Sequence, residues 1–509
     1  MLSILTLVSR VLGLLREMTK ASLLGTSALS DAFSVAFLIP NLFRRLFAEG
    51  SIAVAFIPTF KEHLLENNGK KTSEFLSCFF TFLTFTVSLT VTAGIFLTPF
   101  IVPLFGLAEF DETVFLARIM FPYLAFISIA AFFQGILNSH RIFSPSGLAP
   151  IILNITVILC AHLLKDFAGN PARAMAIGVF AGGFLEAAIQ FPFVLKTAQR
   201  FSFTGLKKAF TNEGTRRVLL LIGPTIIGMA AYQLNDLVST ALAGNAGEGV
   251  VSSLQYSLRM QELILGIFAV SIGTVLLPDL AEHAKSLRWE IFTERLLSAM
   301  NIIALITIPV TFFFMARGEN LIRLLFRNNS FDEESVRLTL TAFSFHMPGL
   351  FFIALNRILA PAFYAQSDSK SPTYAGLISF AVNIAAAWIL SIKYKGAGIA
   401  LALTMASAVN TIFLLVFLRK NPKMILGPIL KSSFLYSIKI LVFSAAAIIP
   451  VLLIGDRLDA VFANYGRILG LGAPLVILAL LFGLLGVFLL FITKDRQILN
   501  IIKILKKSQ

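Results

Sequence analysis

The chain has 509 residues, of which 57% are hydrophobic and 14% are charged, and its mean hydropathy is +0.85. A soluble protein of this length could not bury so much apolar surface, and the apolar runs recur at roughly the 20 residues that span a bilayer. No Walker-type phosphate loop is present, which argues against ATP hydrolysis by this chain. The composition therefore predicts an all-α polytopic membrane protein.

Apolar runs bounded by charges and by Pro or Gly clusters predict about fourteen transmembrane helices. In chain order their spans are 3–24, 29–60, 75–104, 113–138, 148–165, 171–197, 217–243, 249–281, 290–316, 334–364, 373–393, 396–419, 432–455 and 466–493. The first run lacks a basic segment and a small-residue cleavage site, so we expect it to remain in the protein as a helix.

The formal net charge of +15 is arranged as in a membrane protein. Basic residues concentrate in alternate loops, as at Lys70 and Lys71, and the loops between them are poorer in base. The loop that contains Arg323 and Arg327 is the exception. This positive-inside bias predicts that both termini are cytoplasmic, and it argues against nucleic acid as a partner.

An internal repeat is visible in the spacing of prolines. Three pairs recur in order at offsets of 220, 226 and 227 residues: Pro58 with Pro278, Pro122 with Pro348, and Pro145 with Pro372. This pattern favours two six-helix lobes related by a pseudo-two-fold axis along the membrane normal, followed by two further helices. The predicted domains are 1–200 for the first lobe, 201–425 for the second, and 426–509 for the last two helices and a basic cytoplasmic tail.

The first two apolar runs carry charges at membrane depth. These residues are Arg10, Arg16, Glu17, Asp31, Arg44, Arg45 and Glu49. A charge near the bilayer centre costs about 2.5–3.5 kcal/mol on insertion scales, so such residues usually face a polar cavity or a partner. The arginines outnumber the acids, which indicates that an anionic ligand enters the space they share.

Spacing assigns different roles to these arginines. Arg10 and Arg16 lie about 120° apart around the helix axis and ~9 Å apart along it, so they can share only a broad ligand. Arg44 and Arg45 diverge by about 100°. Arg45 and Glu49 are four residues apart and are spaced to pair along the helix, which would leave Arg44 for a ligand.

The second lobe adds Arg259, three residues before Glu262. The two either pair with each other at the membrane edge or leave Arg259 to a ligand. Arginine suits the second role because its planar fork binds phosphate oxygens bidentately and stays protonated when partly desolvated. A phosphate or diphosphate site is therefore predicted at Arg10, Arg16, Arg44 and Arg259.

Three further acids and two polar residues complete the candidate set. Asp31 is either the N-cap of the second helix or, like Glu17, part of a gate or salt bridge. Asp236 is an acid inside the seventh predicted helix and suits a coupling cation. Asn383 and Thr404 are candidate oxygen ligands for Na⁺ beside it. No catalytic residue set and no other metal site are predicted.

Several strings resemble the MurJ (MviN) family of lipid II flippases. They are SRVLGLLRE at 9–17, DAF at 31–33, PNLFRRLFAEG at 40–50, GP at 223–224, RMQE at 259–262, GTVLLP at 273–278 and APAFY at 360–364. The resemblance implies the fold of the multidrug, oligosaccharidyl-lipid and polysaccharide (MOP) exporter superfamily. It also implies transport of undecaprenyl-diphosphate-linked peptidoglycan precursor from the cytoplasmic to the periplasmic leaflet of the bacterial inner membrane.

The resemblance also assigns residues. The family's cavity arginines map onto Arg10, Arg16, Arg44 and Arg259, and its groove between helices thirteen and fourteen would take the polyprenyl tail. Members with a Na⁺ site have an acid matched here by Asp236. On helix eleven Asn383 fits the pattern, but Ala387 stands where a second acid is expected, so the coupling ion stays open.

The expected mechanism is alternating access by a monomer among membrane lipids. It would be driven by membrane potential or an ion, with no cofactor apart from a coupling Na⁺. The nearest alternative is another MOP exporter, either a polysaccharide-lipid flippase or a drug/cation antiporter. A membrane-embedded polyprenyl-phosphate transferase is a third class, but it would need clustered acids to bind Mg²⁺, and the sequence has no Asp-Asp or Asp-x-Asp run.

Overall fold

The computed structural model describes residues 2–45, 55–66, 68–419, 426–495 and 497. The chain divides into two compact units, Met1–Ser252 and Ser253–Gln509, here called unit 1 and unit 2. Regular structure in the described residues is entirely helical, with helices α1 to α17 and one short 3₁₀ helix, Val102–Phe105.

Ten α-helices begin and end within the described residues of unit 1. They are α1 (Leu2–Leu24), α2 (Ala28–Arg44), α3 (Ile57–Leu65), α4 (Gly69–Ile101), α5 (Phe110–Met120), α6 (Tyr123–Ser139), α7 (Ser144–Leu163), α8 (Pro171–Leu195), α9 (Leu206–Thr211) and α10 (Glu213–Ala246). Side chains cap several of their first turns. Ser27 accepts a hydrogen bond from the Ser30 N–H at α2, and Asn170 accepts one from Arg173 at α8. Such caps satisfy amide groups that have no partner within the helix.

Unit 2 contains the remaining helices. They are α11 (Val250–Lys285), whose first three residues belong to unit 1, α12 (Trp289–Phe326), α13 (Glu333–His346), α14 (Gly349–Tyr364), α15 (Lys370–Leu418), α16 (Leu426–Phe462) and α17 (Arg467–Ile492). Within this unit α12 packs against α14, α16 and α17, and α14 packs against α15.

The structure confirms the predicted class, an all-α polytopic membrane protein. In the part of the chain that is described, eight helices are long and apolar enough to cross a membrane, or nine if α13 and α14 form one bent span. Arg10, Arg16 and Glu17 lower the hydropathy of α1, and α2 has only 17 residues. The number fourteen and the lobe boundaries at 200 and 425 therefore stay predictions.

Two predicted spans are each divided by a proline. The span 113–138 is interrupted at Pro122, between α5 and α6, and the span 334–364 is interrupted at Pro348, between α13 and α14, with a bend of 47°. Proline has no N–H to donate, and its ring clashes with the preceding turn. These two prolines form one of the repeated pairs, and each precedes the first residue of its second helix. Their equivalent positions support the duplication.

A third break separates two predicted helices inside α15. Lys395 has φ of 49° and ψ of −129°, and it lies between the predicted spans 373–393 and 396–419. Just beyond it, a Cβ on Gly398 would lie 2.4 Å from the Leu390 carbonyl oxygen. The chain therefore reverses in a space that only glycine fits, and it does so at the predicted place.

Close backbone packing joins α7 and α8 in unit 1. A Cβ built on Gly178 of α8 would lie 2.8 Å from the Cα of Val157 and 3.0 Å from the Cβ of Cys160. On the next turn, a Cβ on Gly182 would lie 2.7 Å from Leu153. Small residues at such positions let helices approach closely, and van der Waals packing then stabilises the pair in a membrane.

Substitution of Gly178 by Ala should destabilise unit 1. The added methyl group meets backbone rather than a flexible side chain, so the helices must separate at a cost of about 1–3 kcal/mol. Thermal unfolding of the purified protein in detergent would report this as a lower Tm. Gly483→Ala is the matched control, because no atom lies within 4 Å of its added Cβ. Equal Tm values for the two variants would contradict the packing argument.

Candidate functional site

Charged side chains of α1 form contacts within the helix and with α2. Arg16 and Glu17 form an ion pair with an N–O distance of 2.9 Å, and their side chains are only 16% and 12% exposed. The Arg16 guanidinium also lies 6.0 Å from the centre of the Phe37 ring on α2. Arg10 lies on an exposed part of α1, next to Ser9, whose carbonyl accepts a hydrogen bond from Asn154 of α7.

Lys20 is a charged residue of this region that sequence reasoning missed. Its side chain is buried, and its ammonium group donates a hydrogen bond to the Ser34 hydroxyl of α2. Ser34 in turn donates to the Ser30 carbonyl at 2.7 Å. Lys20 stands four residues after Arg16, on the same side of the helix, so the spacing that singled out the arginines was a signal for it as well.

Asp31 does not cap its own helix, so that interpretation of it is wrong. The N-cap of α2 is Ser27, and the buried Asp31 carboxylate instead accepts hydrogen bonds from the N–H groups of Gly249 (2.7 Å) and Ser252 (2.8 Å), at the start of α11. Conversely, Glu248 accepts a hydrogen bond from the N–H of Ala28, at the start of α2 (2.9 Å). Each of these two helix N-termini is therefore stabilised by a carboxylate from the other segment.

The adjacent arginines at the end of α2 have different partners, as their divergence predicted. Arg44 donates from Nε to the Asn41 side chain at 2.7 Å. Arg45 donates to the buried Gln233 of α10 at 3.2 Å and lies 3.8 Å from the Asp236 carboxylate. Glu49 lies outside the described residues, so its pairing with Arg45 stays a prediction.

In unit 2, Arg259 and Glu262 form the intrahelical pair that their spacing allowed. The N–O distance is 2.9 Å, and both side chains are more than a third exposed. An exposed pair of this kind contributes only about 0–1 kcal/mol, so it does not hold Arg259 away from a ligand.

The residues suggested for a cation site are divided between the units. Asp236 is in unit 1 with Arg45 beside it, which balances its charge. Asn383 and Thr404 are buried in α15 of unit 2, where the Thr404 hydroxyl donates to the Phe345 carbonyl at 2.7 Å. Among the described residues, no group of three or more His, Cys, Asp or Glu side chains is placed to hold a metal. Sodium binding therefore stays a prediction.

These arrangements leave the arginines suited to an anion. A guanidinium has five N–H donors in a planar fork, so one carboxylate or amide partner does not exhaust its capacity. A phosphate can add to, or replace, such a partner without leaving the positive charge uncompensated. The helical fold and the charged residues within its apolar helices define a polytopic membrane transporter.

Comparison with known proteins identifies the family. The family model described as "Lipid II flippase MurJ" matches residues 20–462. A probable lipid II flippase MurJ from Treponema pallidum (strain Nichols) is 46% identical over 501 residues, covering 97% of this chain and 95% of the relative. The lipid II flippase MurJ of Burkholderia cenocepacia is 32% identical over 435 residues, covering 82% of each. The chain belongs to the MurJ family of lipid II flippases.

Solved structures agree on the fold. A structure described as lipid II flippase MurJ in an inward closed conformation matches with a TM-score of 0.79 and 24% identity, covering 97% of this chain and 99% of its own. An inward-facing multidrug resistance MATE family transporter of the MOP superfamily matches with a TM-score of 0.64 and 13% identity, covering 81% and 96%. Membership of the MurJ family, and not this likeness of fold, makes the protein a transporter rather than an enzyme.

Loss of the Asp31 carboxylate should loosen the start of α11. In Asp31→Ala the N–H groups of Gly249 and Ser252 lose their acceptor, and each buried unsatisfied donor costs about 1–3 kcal/mol. Hydrogen–deuterium exchange over residues 247–254 should then be about tenfold faster or more. Asp111→Ala removes an exposed acid from the first turn of α5 and should leave that exchange unchanged. Unchanged exchange in Asp31→Ala would contradict the capping role.

Proposed function

We propose that this protein is a lipid II flippase. In this proposal it moves the undecaprenyl-diphosphate-linked precursor from the cytoplasmic to the periplasmic leaflet of the bacterial inner membrane by alternating access. It acts as a monomer with both termini in the cytoplasm. Family membership over most of the chain, with a relative 46% identical across 97% of it, is the observation that carries the proposal.

The diphosphate is the part of the substrate that the arginines suit. Arg10, Arg16, Arg44 and Arg259 each lie on a helix otherwise rich in apolar residues, where a permanent positive charge is costly without an anion. A diphosphate carries several oxygens that match the guanidinium fork. A cationic drug would instead be repelled by these residues, which disfavours the alternative of a drug/cation antiporter.

The polyprenyl tail suits the last two helices. α17 is the most apolar of the candidate membrane spans among the described residues. Large apolar side chains are exposed along it, including Leu480, Leu484 and Phe488 at 62%, 69% and 59%. Such a surface contacts hydrocarbon without a desolvation cost. We therefore assign the tail to the surface of α16 and α17.

A gate role for Asp31 follows from its hydrogen bonds. Asp31 and Glu248 hold the first turns of α2 and α11 together through N–H groups that have no partner within their own helices. Separation of these turns during transport would expose the N–H groups to water. Water molecules would then replace the carboxylates as hydrogen-bond acceptors, at a modest cost in free energy. Glu17 and Glu262 are assigned to the pairing of Arg16 and Arg259 when substrate is absent.

Arginine substitutions test the proposal. In cells depleted of the wild-type protein, Arg16→Ala and Arg44→Ala should each reduce the accessibility of lipid II in the outer leaflet by about tenfold or more, because a charge-assisted hydrogen bond to a phosphate is lost. Arg16→Lys should be intermediate, since lysine keeps the charge but lacks the fork.

Arg337→Ala is the matched control, because Arg337 is exposed and pairs on the surface with Glu334. All variants are compared at equal abundance in the membrane. Full flipping by a variant in which Arg10, Arg16, Arg44 and Arg259 are all Ala would refute the diphosphate assignment.

Reconstitution into proteoliposomes can distinguish between two candidate driving forces. Two drivers are compared, namely membrane potential alone and a Na⁺ gradient acting through Asp236 with Asn383 and Thr404. Because Arg45 already balances Asp236, we expect a potassium-diffusion potential to support flipping without Na⁺ in proteoliposomes. Asp236→Asn should then leave the ion dependence unchanged. Transport that stops when Na⁺ is absent, and that Asp236→Asn abolishes, would establish sodium coupling instead.

A further inference from the structure

A polar cavity lies at one end of three membrane helices in unit 2. Its volume is about 690 Å³, and its walls come from the last turns of α12, the last turns of α16 and the first turn of α17. The helices end at Phe326 and Phe462 and begin at Arg467, and the apolar spans predicted from the sequence, 290–316, 432–455 and 466–493, stop or start beside the cavity. The cavity therefore lies where hydrocarbon gives way to lipid head groups.

The cavity walls carry balanced charge. Three arginines (Arg317, Arg323 and Arg467) and three acids (Glu319, Asp456 and Asp459) line it. A wall of zero net charge with separated positive and negative groups complements a zwitterion better than it complements a net anion or a net cation.

The two aspartate carboxylates in the cavity wall retain some unused capacity to accept hydrogen bonds. Arg317 is buried at the kink of α12, where it forms an ion pair with Asp459 and lies 3.5 Å from Asp456. The other oxygen of Asp459, Oδ1, is buried and has no hydrogen-bond partner in the described part of the chain, and the side chain of Asp456 is 94% exposed. Two carboxylates that still accept hydrogen bonds suit a primary ammonium group, which has three donors.

The basic side of the cavity is Arg467. Arg323 is occupied by Glu319 and Glu333, with N–O distances of 2.8 and 2.6 Å. Arg467, by contrast, donates to the carbonyl oxygen of Arg327, and no ion pair joins it to an acid among the described residues. It is also the first residue of the 26-residue α17, where the helix dipole adds positive potential. These features suit a phosphate.

Apolar surface continues from the cavity along the same helices. Leu453 and Val461 of α16 are 71% and 66% exposed, and Ile468 and Leu469 of α17 are 75% and 60% exposed. Acyl chains can lie against this surface while a head group occupies the cavity. A lipid fits both features, whereas a water-soluble zwitterion would fit only the cavity.

We propose that this cavity binds the phosphoethanolamine head group of an aminophospholipid, with the phosphate on Arg467 and the ammonium group on Asp456 and Asp459. The bound lipid would bridge α16 and α17 at the end that the predicted order of fourteen spans, with a cytoplasmic N-terminus, places on the periplasmic side. The cavity is lined by residues of unit 2 alone, and its occupation does not depend on which substrate the protein moves.

Native mass spectrometry of the purified, delipidated full chain tests the proposal. Phosphatidylethanolamine, phosphatidylcholine and phosphatidylglycerol are titrated separately. We expect phosphatidylethanolamine to bind about tenfold more tightly than phosphatidylcholine, because three methyl groups remove the N–H donors of the ammonium group. Phosphatidylglycerol, which lacks an ammonium group, should also bind more weakly.

The test variants change Arg467 and Asp456, which are both exposed, so we expect them to fold like the wild type. Arg467→Gln should weaken the binding of all three lipids, and Asp456→Asn should weaken that of phosphatidylethanolamine alone, each by about tenfold. Arg457→Gln, an exposed arginine on α16 outside the cavity wall, should change none of them. Equal binding of phosphatidylethanolamine and phosphatidylcholine, tighter binding of phosphatidylglycerol, or wild-type binding by both variants would overturn the proposal.

Discussion

The need to compensate each charge inside an apolar helix shapes this protein more than any other interaction. In hydrocarbon an unpaired ion is far more costly than in water, so helices that carry charges must pack where partners exist. Arg16 pairs with Glu17, Lys20 bonds to Ser34, and Asp31 accepts amide hydrogens from the start of α11. The last two contacts connect α1 and the first turn of α11 to α2 within unit 1, while α1 packs mainly against α7.

The breaks in the helices follow from a related constraint. In a membrane every backbone group must be satisfied internally, so a helix can be interrupted only where a neighbour or a change of direction accommodates the break. Pro122 and Pro348, both half-buried, interrupt their helices, and Lys395 reverses the chain where Gly398 lies against a carbonyl group. At Arg317 the kink of α12 is stabilised by the carboxylate of Asp459. Packed neighbours therefore accompany each of these irregular points.

Hydropathy and charge spacing were enough to predict the fold class and the break near 395, and they gave the Arg259–Glu262 pair as one of two alternatives, because these features depend on residues close in the chain. The partners of Asp31 were beyond such reasoning, since Gly249 lies 218 residues away and contributes a backbone N–H that no side-chain pattern marks. The same holds for Arg317 and Asp459, which are 142 residues apart. Lys20 differs, because its spacing from Arg16 was visible in the sequence.

The energetics of the pairs distinguish structural charges from those that can serve a ligand. Asp31 is buried and accepts hydrogen bonds from two amide groups, so removing its carboxylate leaves two donors without an acceptor, at a cost of about 1–3 kcal/mol each. Arg45 and Asp236 are 3.8 Å apart and their side chains are 33% and 41% exposed, so water can replace either partner at a cost of about 0–1 kcal/mol. For Arg16 a phosphate would replace one anion by another and leave the guanidinium compensated throughout. Charges held by single carboxylates can therefore exchange partners during a transport cycle, whereas the Asp31 cap changes only when the helices themselves separate.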